Sequence, residues 1–148
     1  MFIDSGKMLL VDDDPNDIEL LQLALRELSC IRTLDIVNDG EQVLRYLIGS
    51  ETQQPTRELP RFVLMDLKLP KLTGIEVLRA IRRHPATQTL PVVIMSSSSE
   101  ETDLRACYNL GVNSYVVKPL DFQQFLASVK QVGNYWMTVN SPINLLQP

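Results

Sequence analysis

Four short apolar runs along the chain each end in a polar residue. Met8-Leu9-Leu10-Val11 leads into Asp12-Asp13-Asp14, and Phe62-Val63-Leu64-Met65 leads into Asp66. Val92-Val93-Ile94-Met95 leads into Ser96, and Tyr115-Val116-Val117 into Lys118-Pro119. Continuous apolar runs of this length read as strands buried on both faces of a parallel sheet. Between them the period changes. Ile18, Leu21, Leu25 and Leu28, for example, fall on one face of a helix that Asp14 can cap and Pro15 can begin. Strand and helix patterns alternate, which predicts an α/β domain with a doubly wound parallel sheet. Strands are expected near 7–11, 32–37, 62–65, 92–95 and 114–117, and helices near 15–28, 41–48, 74–83, 100–110 and 121–136.

Capping chemistry supports these starts. Asp39 with Gln42, Ser98 with Glu101, and Asp121 with Gln124 all have capping-box spacing, and Gly111 sits where a helix should stop. Domain bounds follow as an N-terminal arm over 1–6, one domain over 7–137 and a poorly ordered tail over 138–148. The polar segment from Gly49 to Arg61 has two prolines and no periodicity, so it reads as a long surface loop, either functional or a tolerated insertion.

Open α/β sheets bind ligands at the carboxyl edge of their strands, so the acids, the hydroxyl and the amine should converge there. A strand-end aspartate such as Asp66 is exposed enough to attack an electrophile, and Asp is a known phosphoryl acceptor. The plainer reading is an acid that starts a turn. Asp12 and Asp13 crowd two carboxylates together, which repel unless a cation neutralises them. Mg2+ suits such a set, being hard, oxygen-seeking and content to keep waters. Helix-dipole stabilisation explains one of the three consecutive acids well and all three poorly. Ser96 can donate to a phosphoryl oxygen, while Ser98 or Ser99 serves as a helix cap. Lys118 can pair with Asp66 and then with an oxygen of its phosphorylated form.

The bulk properties narrow the setting. A chain of 148 residues with 45% hydrophobic positions is sufficient for one domain with an adequate core. A net charge of -4 argues against non-specific nucleic-acid binding. No apolar stretch approaches the ~20 residues of a membrane span, and Met1 to Lys7 lacks a signal-peptide pattern. Cys30 and Cys107 form no spaced motif and read as buried free thiols of a reducing cytosol. The expected location is therefore cytoplasmic.

Together these positions resemble the receiver domain of bacterial response regulators, over about residues 7 to 136. The matching residues are Asp12, Asp13, Asp66, Ser96, Tyr115, and Lys118 with Pro119; the stretch MDLKLPKLTG is also similar, with Pro70 and Gly74 after the acceptor. The resemblance implies a flavodoxin-like (βα)5 fold with strand order 2-1-3-4-5. It implies Asp66 as phosphoacceptor, and Asp12, Asp13, Asp66 and the Lys68 backbone carbonyl as ligands of Mg2+, for which Mn2+ or Ca2+ can substitute. Ser96 and Tyr115 become switch residues that alter the face of the fourth helix, fifth strand and fifth helix. The side chains at Lys68 and Ser98, where the family varies, influence how long the phosphoryl group lasts. A finer resemblance, to single-domain regulators of phytochrome kinases, rests on VDDDPND, the long loop before LPRFVLMDLKLP, GVNSYVVKP and Tyr135-Trp136. It implies a phytochrome-type sensor histidine kinase as partner and a homodimer.

Two other classes compete. Haloacid-dehalogenase-like phosphatases also use an aspartyl-phosphate, but need a second Asp two residues later, where this chain has Lys68. A receiver-shaped binding module that never takes phosphate usually lacks an acid, the acceptor or the lysine, and here none is missing. Activity is expected to be limited to weak self-catalysed phosphoryl transfer and loss. About 30 residues follow Pro119, enough for a last helix, so output is expected through protein contacts, with no nucleic acid and no membrane. Tyr135 and Trp136 are the expected interface: Phe122, Phe125, Leu126 and Val129 form a core-facing stripe, and Trp136 lies off its end. His84 sits in a basic helix end, where a cation is favourable, rather than in a relay role.

Overall fold

The computed structural model describes residues 2–56 and 58–143. Among these, strands and helices alternate: β1 (Phe2–Val11), α1 (Pro15–Arg26), β2 (Thr33–Val37), α2 (Gly40–Leu47), β3 (Glu58–Met65), α3 (Gly74–Arg83), β4 (Val92–Ser96), α4 (Glu101–Asn109), β5 (Ser114–Val117) and α5 (Phe122–Asn134). A π-turn over Tyr135–Val139 follows. The strands form one parallel sheet in the order β2-β1-β3-β4-β5, the expected doubly wound arrangement.

The alternation of side chains along each strand divides the core into two layers. Leu9, Val11, Val63, Met65, Val92 and Ile94 face α2 and α3, where they meet Val43, Leu47, Leu78 and Ile81. Met8, Leu10, Phe62, Leu64, Val93 and Met95 face α1 and α5, and meet Leu21, Leu25, Phe125 and Val129. Both faces are covered, which is why these strands read as unbroken apolar runs. No helix of the described residues is long and apolar enough to cross a membrane.

Several element ends differ from expectation. β1 begins at Phe2, because Phe2, Ile3 and Asp4 pair with Glu58, Leu59 and Pro60. Residues 2–6 of the segment expected as an arm are thus strand, and β3 starts four residues before the apolar run that announced it. The long loop shortens accordingly. The capping box expected from Ser98 and Glu101 is not formed: Ser98 Oγ donates to Asp103 at 2.6 Å, and α4 starts without a side-chain cap. A box does form at Thr73 and Glu76, opening α3. Asp14, Asp39 and Asp121 cap α1, α2 and α5 as expected.

The C-terminal end departs most. Gly133 is where α5 touches α1: a Cβ there would lie 2.7 Å from Leu28 Cδ1 and 3.1 Å from Leu25 Cδ2. Beyond it the helix widens into the π-turn, and Arg61 binds the freed carbonyls, with Nε 3.2 Å from the Trp136 oxygen and Nη2 2.6 Å from that of Asn140. The widening swings Trp136 back against Phe62, ring centroids 6.5 Å apart. Trp136 is therefore packed within its own chain, which removes the reason given for burying it on a partner; Tyr135 is 46% exposed. Phe122, expected in the core stripe, is also outside, at 48% exposure. The expected tail boundary at 138 falls inside the π-turn, and residues 144–148 of that tail lie outside the described residues.

Candidate active site at the carboxyl edge of the sheet

Register brings the polar strand ends together. Val11 pairs with Met65, and Asp12 and Asp66 follow them directly; Ser96 pairs with Val117 at the end of the next two strands, and Lys118 follows. Backbone bonds extend the ladder past the strands. The Asp12 N–H donates to the Val37 carbonyl at 3.2 Å, Asp66 N–H to Val11 at 3.0 Å, and Lys118 N–H to Ser96 at 2.7 Å. Asp12, Asp66 and Lys118 are thereby each held by a neighbouring strand.

Lys118 Nζ lies 3.1 Å from Asp66 Oδ2, and the other Asp66 oxygen accepts the Lys68 N–H at 3.2 Å. The Lys68 side chain is exposed. Carboxylate oxygens of Asp12, Asp13 and Asp66 all lie within 4.8 Å of one another, with Asp12 buried and Asp13 exposed. Three hard oxygen donors at this spacing fit a divalent cation such as Mg2+ or Mn2+. Asp12 is 2% exposed, and burial pushes its carboxyl up to about 6. The Asp14 N–H bond and Lys118 pull against that shift, while Asp66 and Asp17 add to it. An acid so reluctant to ionise is what a cation would relieve.

Burial lowers the ammonium pKa of Lys118, but Asp66, then Asp17 and Asp12, more than offset this and leave it above the usual lysine value. It stays charged. Ser96 is buried, and its Oγ accepts the Ser98 N–H at 3.1 Å. Tyr115 turns inward, its hydroxyl donating to the Ser98 carbonyl at 2.9 Å, and burial raises its phenol pKa. The loop after Asp66 is anchored by buried Leu67 and Leu69. It closes through the Gly74 N–H to the Leu67 carbonyl at 2.8 Å, with Lys71 at φ 69 making the sharp bend.

Asp12, Asp13, Asp66, Ser96 and Lys118 thus share one edge, as expected, with Tyr115 one layer behind. Two participants were not anticipated. Asp17 in the first turn of α1 bonds Lys118 at 3.1 Å, and Asp103 in α4 holds Ser98. Both were visible only as acids at helix starts, which the dipole alone would explain.

The model of the response regulator receiver domain matches residues 8–130. The chain belongs to that family. Among its relatives, the probable methanogenesis regulatory protein FilR2 of Methanothrix harundinacea is 38% identical over 133 residues, covering 90% of this chain and 84% of FilR2. The response regulator Rcp1 of Synechocystis sp. is 32% identical over 136 residues, covering 91% and 92%. The crystal structure of Rcp1 in its Mn2+-bound form superposes with a TM-score of 0.84 at 30% identity, covering 93% of this chain and 98% of that one. That of the phosphorylated cyanobacterial phytochrome response regulator RcpA gives 0.81 at 32% identity, with the same coverage of 93% and 98%. Receiver proteins are signalling proteins, and this chain has the size and the fold of the single-domain, phytochrome-linked members. The buried Cys107 takes no part in the site; burial, and secondarily Asp103, push its thiol up to about 11.

Proposed function

We propose that this receiver accepts a phosphoryl group on Asp66 from the phosphohistidine of a sensor histidine kinase, in a divalent-cation-dependent reaction, and signals through protein contacts. The observation that carries this reading is the joint geometry of Lys118, 3.1 Å from Asp66, and the oxygens of Asp12, Asp13 and Asp66, all within 4.8 Å. An Asp66 carboxylate oxygen attacks phosphorus, the bond from phosphorus to the donor nitrogen breaks, and the imidazole leaves. Asp12, Asp13, Asp66 and the Lys68 carbonyl would hold Mg2+, which when bound offsets the charge that builds up beside three carboxylates. Lys118 moves its donor from Asp66 to a phosphoryl oxygen, and the Ser96 hydroxyl turns to donate to another. Losing Ser96 as acceptor frees the Ser98 N–H and so biases the loop that Tyr115 grips.

The likeness to the phytochrome response regulator RcpA supports a phytochrome-type kinase as the donor. A homodimer through the surface near the last strand and helix remains part of the reading, now resting on exposed Tyr135 and Val139 in the π-turn rather than on Trp136. Sedimentation at micromolar concentration checks it: a monomeric wild type, phosphorylated or not, rules it out. Intact acids, acceptor and lysine oppose the alternative of a binding module indifferent to phosphate. The test of the main reading is incubation with acetyl phosphate and Mg2+, which should add one phosphoryl mass to the wild type. Equal labelling of Asp66→Asn, or full labelling in EDTA, would refute it.

A further inference from the structure

We infer that Asp17 is a positioning residue of this site, holding the Lys118 ammonium beside Asp66 before a phosphoryl group arrives; the inference rests on the receiver reading above. Asp14 caps α1 and Pro15 is the first helical residue, which puts Asp17 at the third position. An acid there ordinarily reaches back to the N–H of the capping residue. In this chain that N–H is already taken, because Asp14 N–H donates to Asp12 Oδ1 at 2.9 Å. The Asp17 carboxylate is released from capping and turns to the sheet edge instead. Its Oδ2 lies 3.1 Å from Lys118 Nζ, the same distance as Asp66 Oδ2, while Asp12 stands off at 4.0 Å. Asp17 is not among the three acids whose oxygens cluster as candidate cation ligands.

An ammonium has three N–H donors. Two are committed, one to each of the 3.1 Å carboxylates, and among the described residues the third makes no hydrogen bond, with Asp12 Oδ2 standing 4.0 Å away. A lysine stem is long and rotamer-rich, and one partner leaves it free to swing about that contact. A second partner on a different element, the first turn of α1, defines where the charge sits. When Asp66 becomes an acyl phosphate, Lys118 can exchange the Asp66 oxygen for a phosphoryl oxygen and keep Asp17. The charge is then placed in advance where the transferring group needs it. A merely structural acid at a helix start would affect stability and not this step.

A double-mutant cycle separates the two roles. Acetyl phosphate labelling is followed by mass at saturating Mg2+ for wild type, Asp17→Asn, Lys118→Gln and the combination, each checked for folding by thermal unfolding. Asn keeps the shape and drops the charge. The expected result is labelling slowed roughly three- to tenfold by Asp17→Asn, with the combination no slower than Lys118→Gln alone. Beryllofluoride, a phosphoryl mimic, provides a second measurement on the same four proteins should Lys118→Gln label too slowly to time; Asp17→Asn should weaken it only where Lys118 is present. Independent, additive effects in the two backgrounds, or a rate for Asp17→Asn equal to or above wild type, would overturn the positioning role. A wild type that takes no label at all would instead overturn the receiver reading.

Discussion

Replacing Asp12 with Asn should stabilise the metal-free protein while weakening its response to metal. Asp12 is 2% exposed, and its carboxyl is raised from 3.8 to about 6, chiefly by burial. At 1.36 kcal/mol per pKa unit this corresponds to roughly 3 kcal/mol, as an order of magnitude. The sign follows from proton linkage. The folded state holds the proton more tightly than the unfolded one, so the stability it confers is complete below about 3.8 and is lost as pH rises through about 6. At pH 8 the folded wild type carries the whole cost of a buried carboxylate. Asn removes that cost, still accepts the Asp14 N–H that Asp12 Oδ1 now accepts at 2.9 Å, and can donate to the nearby carboxylates. Urea unfolding in EDTA from pH 4 to 8 should show the variant more stable by about 1–3 kcal/mol at pH 8, roughly 2–12 °C in melting temperature. The advantage should shrink through pH 6 and vanish near pH 4. Added Mg2+ should close the gap from the other side, since the wild type binds it with one more ligand. A difference that is flat with pH, or a variant less stable at pH 8, would refute the reasoning.

Other sites offer independent checks. Gly74→Ala would set a Cβ 2.9 Å from the Asp66 and Leu67 carbonyl oxygens; thermal unfolding should show a loss of about 1–3 kcal/mol, and acetyl phosphate labelling should slow as the acceptor loop shifts. The Arg82 guanidinium bonds the carbonyls of Gly111 at 2.9 Å and Leu90 at 2.8 Å, and Asn113 Oδ1 at 2.8 Å, tying α3 to the starts of β4 and β5. A single ammonium cannot span them, so Arg82→Lys should cost about 2–4 kcal/mol in urea unfolding; a variant within ~0.5 kcal/mol of wild type contradicts this. Tyr115→Phe removes the 2.9 Å bond to the Ser98 carbonyl. Stability should fall by about 0.5–1.5 kcal/mol, and amide hydrogen exchange around residues 97–100 should quicken; unchanged protection there means that the tyrosine does not hold the loop.

The apolar runs and their polar ends were sufficient to place the sheet, its parallel character and the convergence of Asp12, Asp13, Asp66, Ser96 and Lys118. Those features are local: a strand buried on both faces must be apolar throughout, and its carboxyl end must leave the sheet beside its neighbours' ends. Resemblance supplied the strand order. Capping residues likewise announced α1, α2 and α5, because a cap acts within three residues of itself. What escaped the sequence depends on contacts between distant positions. Phe2–Asp4 carry no strand signal and become strand because Glu58–Pro60 lie beside them. Trp136 lies off the face of a regular helix and reaches the core only because a π-turn, held by Arg61 75 residues earlier, rotates it inward. Asp17 is an ordinary helix-start acid until folding brings Lys118, 101 positions away, within 3.1 Å of it. Periodicity and local hydrogen bonding are written along the chain; which charge meets which is settled only when the layers close.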